Sequence, residues 1–212
     1  MTEASFDNNQ SAIDRGPWLH GTNNSFEHWL VPPPKKFCDR LTTPHSAVFL
    51  TKHKDFAAGA GAQICSAFLT PQAKVVVPEV ESPASEQLRR ALLSKPVLNR
   101  CDWLRSDAVW RKSWNTGEVM RFAADPIVLL CLVNRGAKLL SEAFPKLPQG
   151  EILQVAKHNV TRGWIEEILI VAHALGFDAL QGHEIDSRPG AVKISRPWLA
   201  VLNSHSLSEP VW

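Results

Sequence analysis

Trp18-Leu19-His20-Gly21-Thr22-Asn23-Asn24-Ser25 reads as a short strand that runs out into a polar turn. Trp18, Leu19 and His20 supply the bulky residues of a pleated segment, while Gly21 and the Thr, Asn and Ser after it are turn formers. Downstream, Phe26, Trp29 and Leu30 recur at helical spacing until Pro32-Pro33-Pro34 stops any helix, because proline lacks the N–H and crowds the preceding turn. Upstream, residues 1–15 carry few apolar positions to offset the entropy of ordering. They read as a flexible leader, and a single domain is expected over 16–212.

Further along, Ser46–Thr51 reads as a buried strand and Lys54–Ala60 as a small-residue helix close behind it. Strands are expected over Ile64–Leu69 and Lys74–Val80, joined by a turn at Thr70-Pro71-Gln72. From Ser85 to His158 the pattern is mostly helical, with breaks at Pro96, Trp114–Gly117 and Pro145–Gly150. Thr161 is the expected cap of a helix that runs to Leu175 and closes at Gly176. Within it, Glu166 and Glu167 read as an exposed edge. Short strands are placed near Ala179-Leu180, Ala191–Ile194 and Leu199–Leu202. Strands at both ends with helices between them define an α+β class rather than a regular βαβ alternation.

The bulk properties set wide bounds. The 212 residues, 44% hydrophobic and 21% charged, are enough for one sizeable core. A formal charge of +2 shows none of the basic excess that marks many nucleic-acid binders. Cys38, Cys65, Cys101 and Cys131 form no CxxC pair, so neither a zinc ribbon nor a redox motif is expected. His158 and His173 lack a ligand partner one turn away, and no metal site is expected. The N-terminus lacks a secretory signal, and the apolar runs near residues 127–133 and 165–175 fall short of the ~20 needed to span a bilayer. The reading is a cytoplasmic protein with no membrane partner. No GxSxG, P-loop or Rossmann glycine pattern supports a rival catalytic fold.

Three separated elements then occur in a telling order. They are the Leu19-His20-Gly21-Thr22 strand end followed by Phe26 and Trp29, the Ala47-Val48-Phe49-Leu50-Thr51 strand with its alanine-rich helix, and a late helix ending in Gly176-Phe177-Asp178-Ala179-Leu180. This order resembles the ADP-ribosyltransferase superfamily, in the branch whose signature is a histidine, an aromatic and a glutamate. The matching stretches cover roughly a third of the chain. The resemblance implies split antiparallel β-sheets flanked by helices, with NAD as co-substrate in the cleft between them. It implies that His20 bonds a ribose hydroxyl, that the Gly21 backbone reads the nicotinamide amide, and that Thr22 adds a hydroxyl to the same ribose. Phe49 stands where the family usually has tyrosine, in a chain with no tyrosine at all, and its ring would stack on nicotinamide. Thr51 ends the same strand as a further cofactor contact, and Phe56 with the Ala57–Ala62 run would form the wall behind. The implied activity is mono-ADP-ribosyl transfer from NAD to a macromolecular acceptor, protein or nucleic acid, with release of nicotinamide.

The resemblance breaks at the acid. Cleavage of the glycosidic bond passes through an oxocarbenium-like state, for which the family supplies a glutamate. Here the best-matching position holds Trp198, preceded by Pro197. The nearest acids are Glu184 and Asp186, in what reads as a polar loop over Gly182–Gly190, where Arg188 offers a fork for the NAD pyrophosphate, as does Arg196 beyond it. Two outcomes are open. Either Glu184 reaches the site as the catalytic acid, or the domain is a non-catalytic nucleotide- or partner-binding module, with Trp103, Trp110 and Trp114 as an interaction surface.

Overall fold

The computed structural model describes residues 13–33, 45–78, 80–94, 126–186 and 194–212. In chain order the elements are β1 (Trp18–Thr22), β2 (Val48–Thr51), α1 (Lys54–Ala58), β3 (Gln63–Ala67), β4 (Val75–Val76), α2 (Pro83–Ser94), α3 (Pro126–Ala143), α4 (Gln149–Ala174), β5 (Ala179–Asp186) and β6 (Ile194–Val201). The class is α+β, as expected. The six strands form one mixed sheet in the order β3-β1-β2-β6-β5-β4, in which only the β4/β5 pair is parallel.

Strand alternation sorts the core onto two faces, because successive side chains point to opposite sides of the pleat. On one face Trp198, Ala200 and Leu202 join Leu180, Val76 and Ala47 beneath α2 and α4. On the other, Leu199, Val201, Ala179, Val48 and Leu50 join Trp18, with Trp29 and Leu207 from the flanking loops. From α4, Ile168 and Leu169 are fully buried on the helix-covered face. Burial of that kind stabilises by about 1.5–3 kcal/mol per side chain.

The late helix is longer than its sequence pattern implies. Instead of starting at a Thr161 cap, α4 begins at Gln149 and runs without a break through position 161. Its first half packs Ile152 and Ala156 against Val133 and Ala137 of α3, and its second half packs on the sheet. Tertiary packing on both halves holds together what local capping preferences would divide. The C-terminal end follows expectation: Gly176, at φ +82°, closes the helix. The amides of Phe177 and Gly176 donate to the carbonyls of Ala172 and His173, the paired bonds of a Schellman motif.

The breaks expected at Pro96 and Trp114–Gly117, and the Trp103, Trp110 and Trp114 surface, lie outside the described residues. Residues 13–15 are held by the domain. The Gln181 side chain bonds both backbone groups of Asp14, the Trp18 indole donates to the Asp14 carbonyl, and the Arg15 guanidinium donates to the Thr70 carbonyl. Among the described residues no helix is long and apolar enough to cross a membrane.

Candidate functional site

The sheet is weakest where the sequence places its key histidine. β1 and β3 share five register pairs, whereas β1 and β2 share one, Leu19 with Thr51. Past that pair the ladder stops, and the His20 side chain takes over the link: its Nδ1 lies 2.9 Å from the Phe49 carbonyl oxygen. A carbonyl only accepts, so Nδ1 carries a proton, and in the neutral form of the ring the lone pair is on Nε2. The ring is packed edge-on by Trp29 at 5.5 Å and Phe26 at 6.1 Å between centroids. Phe26 in turn meets Trp29 and the chain-terminal Trp212.

Gly21 is required by a close approach. A Cβ at this position would stand 1.7 Å from the Ala57 carbonyl oxygen, and one at Gly61 would stand 2.2 Å from the Thr22 carbonyl carbon. The two glycines let α1 and the turn after it lie directly on the end of β1. The open backbone that the sequence assigned to reading nicotinamide is thus filled, on its Cβ side, by this helix. Thr22 Oγ1 accepts from the Asn24 amide and donates to its carbonyl, which ties the hydroxyl into the turn.

Phe49 lies half-buried on the helix-covered face, its ring 5.5 Å from Trp198 and 4.7 Å from His45. The His20 ring packs with Phe26 and Trp29 on the opposite face, and the link between the two residues among the described contacts is the Phe49 carbonyl. Thr51 is buried, and its hydroxyl donates to the Pro197 carbonyl and accepts from the His53 amide. Phe56 sits half-buried in α1.

Glu184 is not in a loop. It lies in β5, in register with Arg196 of β6, in the part of the hairpin that extends past the end of β2. The expected loop was too long because polar residues in a two-stranded extension carry no apolar alternation by which to be recognised. Arg188 lies outside the described residues. Arg196 is engaged with the start of α1, its Nη1 2.8 Å from His53 Nδ1 and its Nη2 3.2 Å from Asp55 Oδ2. Trp198, where an acid was sought, is 3% exposed. Its indole packs against Gly182, where an added Cβ would make ordinary contact with the ring at 3.4 Å.

The sequence reading missed a second polar group. Glu166, taken for an exposed helix edge, is buried: its Oε2 accepts from the Ser46 amide at 2.9 Å and its Oε1 lies 3.3 Å from His45 Nδ1. One and two turns earlier on α4 stand Arg162 and His158, with Arg162 Nη1 3.2 Å from His158 Nε2. Partial burial, then the charges of Arg162 and His45, hold His158 below its ordinary value. The i, i+4, i+8 stripe was legible in the sequence, but its partner His45 comes from a distant segment. Among the described residues no group of three metal-ligating side chains occurs. Comparison of the chain with family models, with curated proteins and with solved structures gives no match.

Proposed function

We propose that this chain is an ADP-ribosyltransferase-like protein that binds NAD in the β1/β2 seam and transfers ADP-ribose to a macromolecular acceptor, releasing nicotinamide, in the cytoplasm of the cell that makes it. The observation that carries the reading is His20 Nδ1 at 2.9 Å from the Phe49 carbonyl, beside a junction with a single register pair. A histidine spent on bridging two strands is oriented with Nε2 as acceptor, which suits a ribose hydroxyl. In this reading the single-pair β1/β2 junction, within one continuous sheet, stands where the family fold splits its sheets, and Glu184 supplies the carboxylate that stabilises the oxocarbenium-like state.

The test is nicotinamide release from labelled NAD by the wild-type chain, by H20A and by E184Q. Turnover that needs His20 supports the reading; absence of both NAD binding and turnover in the wild type defeats it. Full turnover by E184Q removes Glu184 from the mechanism. The buried Trp198 favours a second reading, a non-catalytic nucleotide- or partner-binding domain, which expects NAD-dependent thermal stabilisation without nicotinamide release.

A further inference from the structure

Resting on that reading of the seam, we propose that His45 is the general base that activates the acceptor and that Glu166 is its positioning residue. The pair has the layout of a base held by a buried carboxylate. Glu166 is anchored by the backbone amide of Ser46, so its second oxygen is held at His45 Nδ1. That oxygen fixes the imidazole with its proton on Nδ1 and its lone pair on Nε2. The carboxylate side chain is 10% exposed while the imidazole is 28% exposed, so the orienting group is shielded and the base is reachable. The His45 ring lies 4.7 Å from the Phe49 ring, against which nicotinamide would stack. The Ser46 hydroxyl next to it is buried with no hydrogen-bond partner among the described residues.

The step balances without a further reagent. The acceptor O–H or N–H attacks the anomeric carbon of the ADP-ribosyl group, the glycosidic C–N bond breaks, and its electron pair leaves with neutral nicotinamide. The acceptor's proton passes to His45 Nε2 and from there to solvent. Among the described residues, the charged and titratable groups around His45 are Glu166, at 3.3 Å, and His158 and Arg162 on the same helix face.

The test is nicotinamide release from NAD for wild type, H45Q and E166Q, with NAD affinity and melting temperature measured on each. H45Q is expected to lose ~10²-fold in kcat, with NAD affinity changed less than a few-fold. E166Q is expected to lower kcat with NAD affinity unchanged, because the imidazole loses the oxygen that holds its Nδ1. If H45Q does not fold, the split between kcat and NAD affinity in E166Q alone decides. Wild-type turnover with unchanged kcat in the variants that fold overturns the base assignment and leaves the NAD reading standing. Wild-type NAD binding without turnover overturns the base assignment alone, and absence of both binding and turnover overturns the NAD reading as well.

Discussion

His20 Nδ1 stands 2.9 Å from the carbonyl oxygen of Phe49, and this contact spans the junction where β1 and β2 share a single register pair. A side chain here does the work of a missing ladder bond. The imidazole is therefore structural, and substitution separates that role from the proposed contact with NAD.

Replacing His20 with alanine removes that bond and its edge-on packing with Trp29 and Phe26. Unfolding free energy is expected to fall by about 1–3 kcal/mol, which urea denaturation measures. NAD should raise the melting temperature of wild type and leave that of H20A unmoved. An equal rise in both would show that His20 makes no contact with the nucleotide.

Two glycine-to-alanine changes should act with opposite signs. At Gly21 the new methyl would meet the Ala57 backbone at 1.7 Å, so α1 must shift, at a cost of about 1–3 kcal/mol or more. At Gly163, inside α4, a Cβ meets nothing within 4 Å among the described residues, and the change should stabilise by about 0.4–1 kcal/mol. Thermal melts of G21A and G163A check both; a G21A protein as stable as wild type would contradict the close approach of β1 and α1.

Stability should depend on pH through His158, whose value in the folded protein lies below the ordinary 6.5. In the window between the two values the unfolded chain binds more protons than the folded one, so stability rises with pH there. It is fully present above 6.5 and is lost as the pH falls through the window toward the depressed folded value. The residue as a whole is exposed and its ring only partly desolvated, so solvent screening keeps the effect small. Comparison of wild type with H158Q between pH 5 and 7.5 isolates it, and identical slopes would rule out His158 as the source.

The Cys65 thiol is raised above its usual value, chiefly by burial, against a smaller opposing backbone hydrogen bond. A buried thiol with little thiolate reacts slowly. Brief alkylation of the folded protein followed by site-resolved mass spectrometry should label the exposed Cys131 and spare Cys65 until denaturant is added. Native labelling of Cys65 as fast as Cys131 would show that β3 opens readily.

Local patterns made much of this molecule legible in advance. The α+β class, a strand starting at Trp18, the helix closure at Gly176 and a last strand through Leu199 all follow from neighbours in sequence. Turn chemistry and period-two burial act over a few residues, and there the chain needs no outside information. The start of α4 was not legible, because packing on α3 carries the helix back past Thr161 to Gln149.

The candidate site divides in the same way. By itself the sequence determined that His20-Gly21-Thr22 ends a strand and that a small-residue helix follows β2, since both are local patterns. Tertiary structure decided what those residues touch. It put the Ala57 backbone against Gly21, an indole where an acid was sought, and Glu166 beside His45 across 121 residues of chain. The physical reason is that helical and strand periods report which way a side chain points, whereas its partner is set by how distant elements pack.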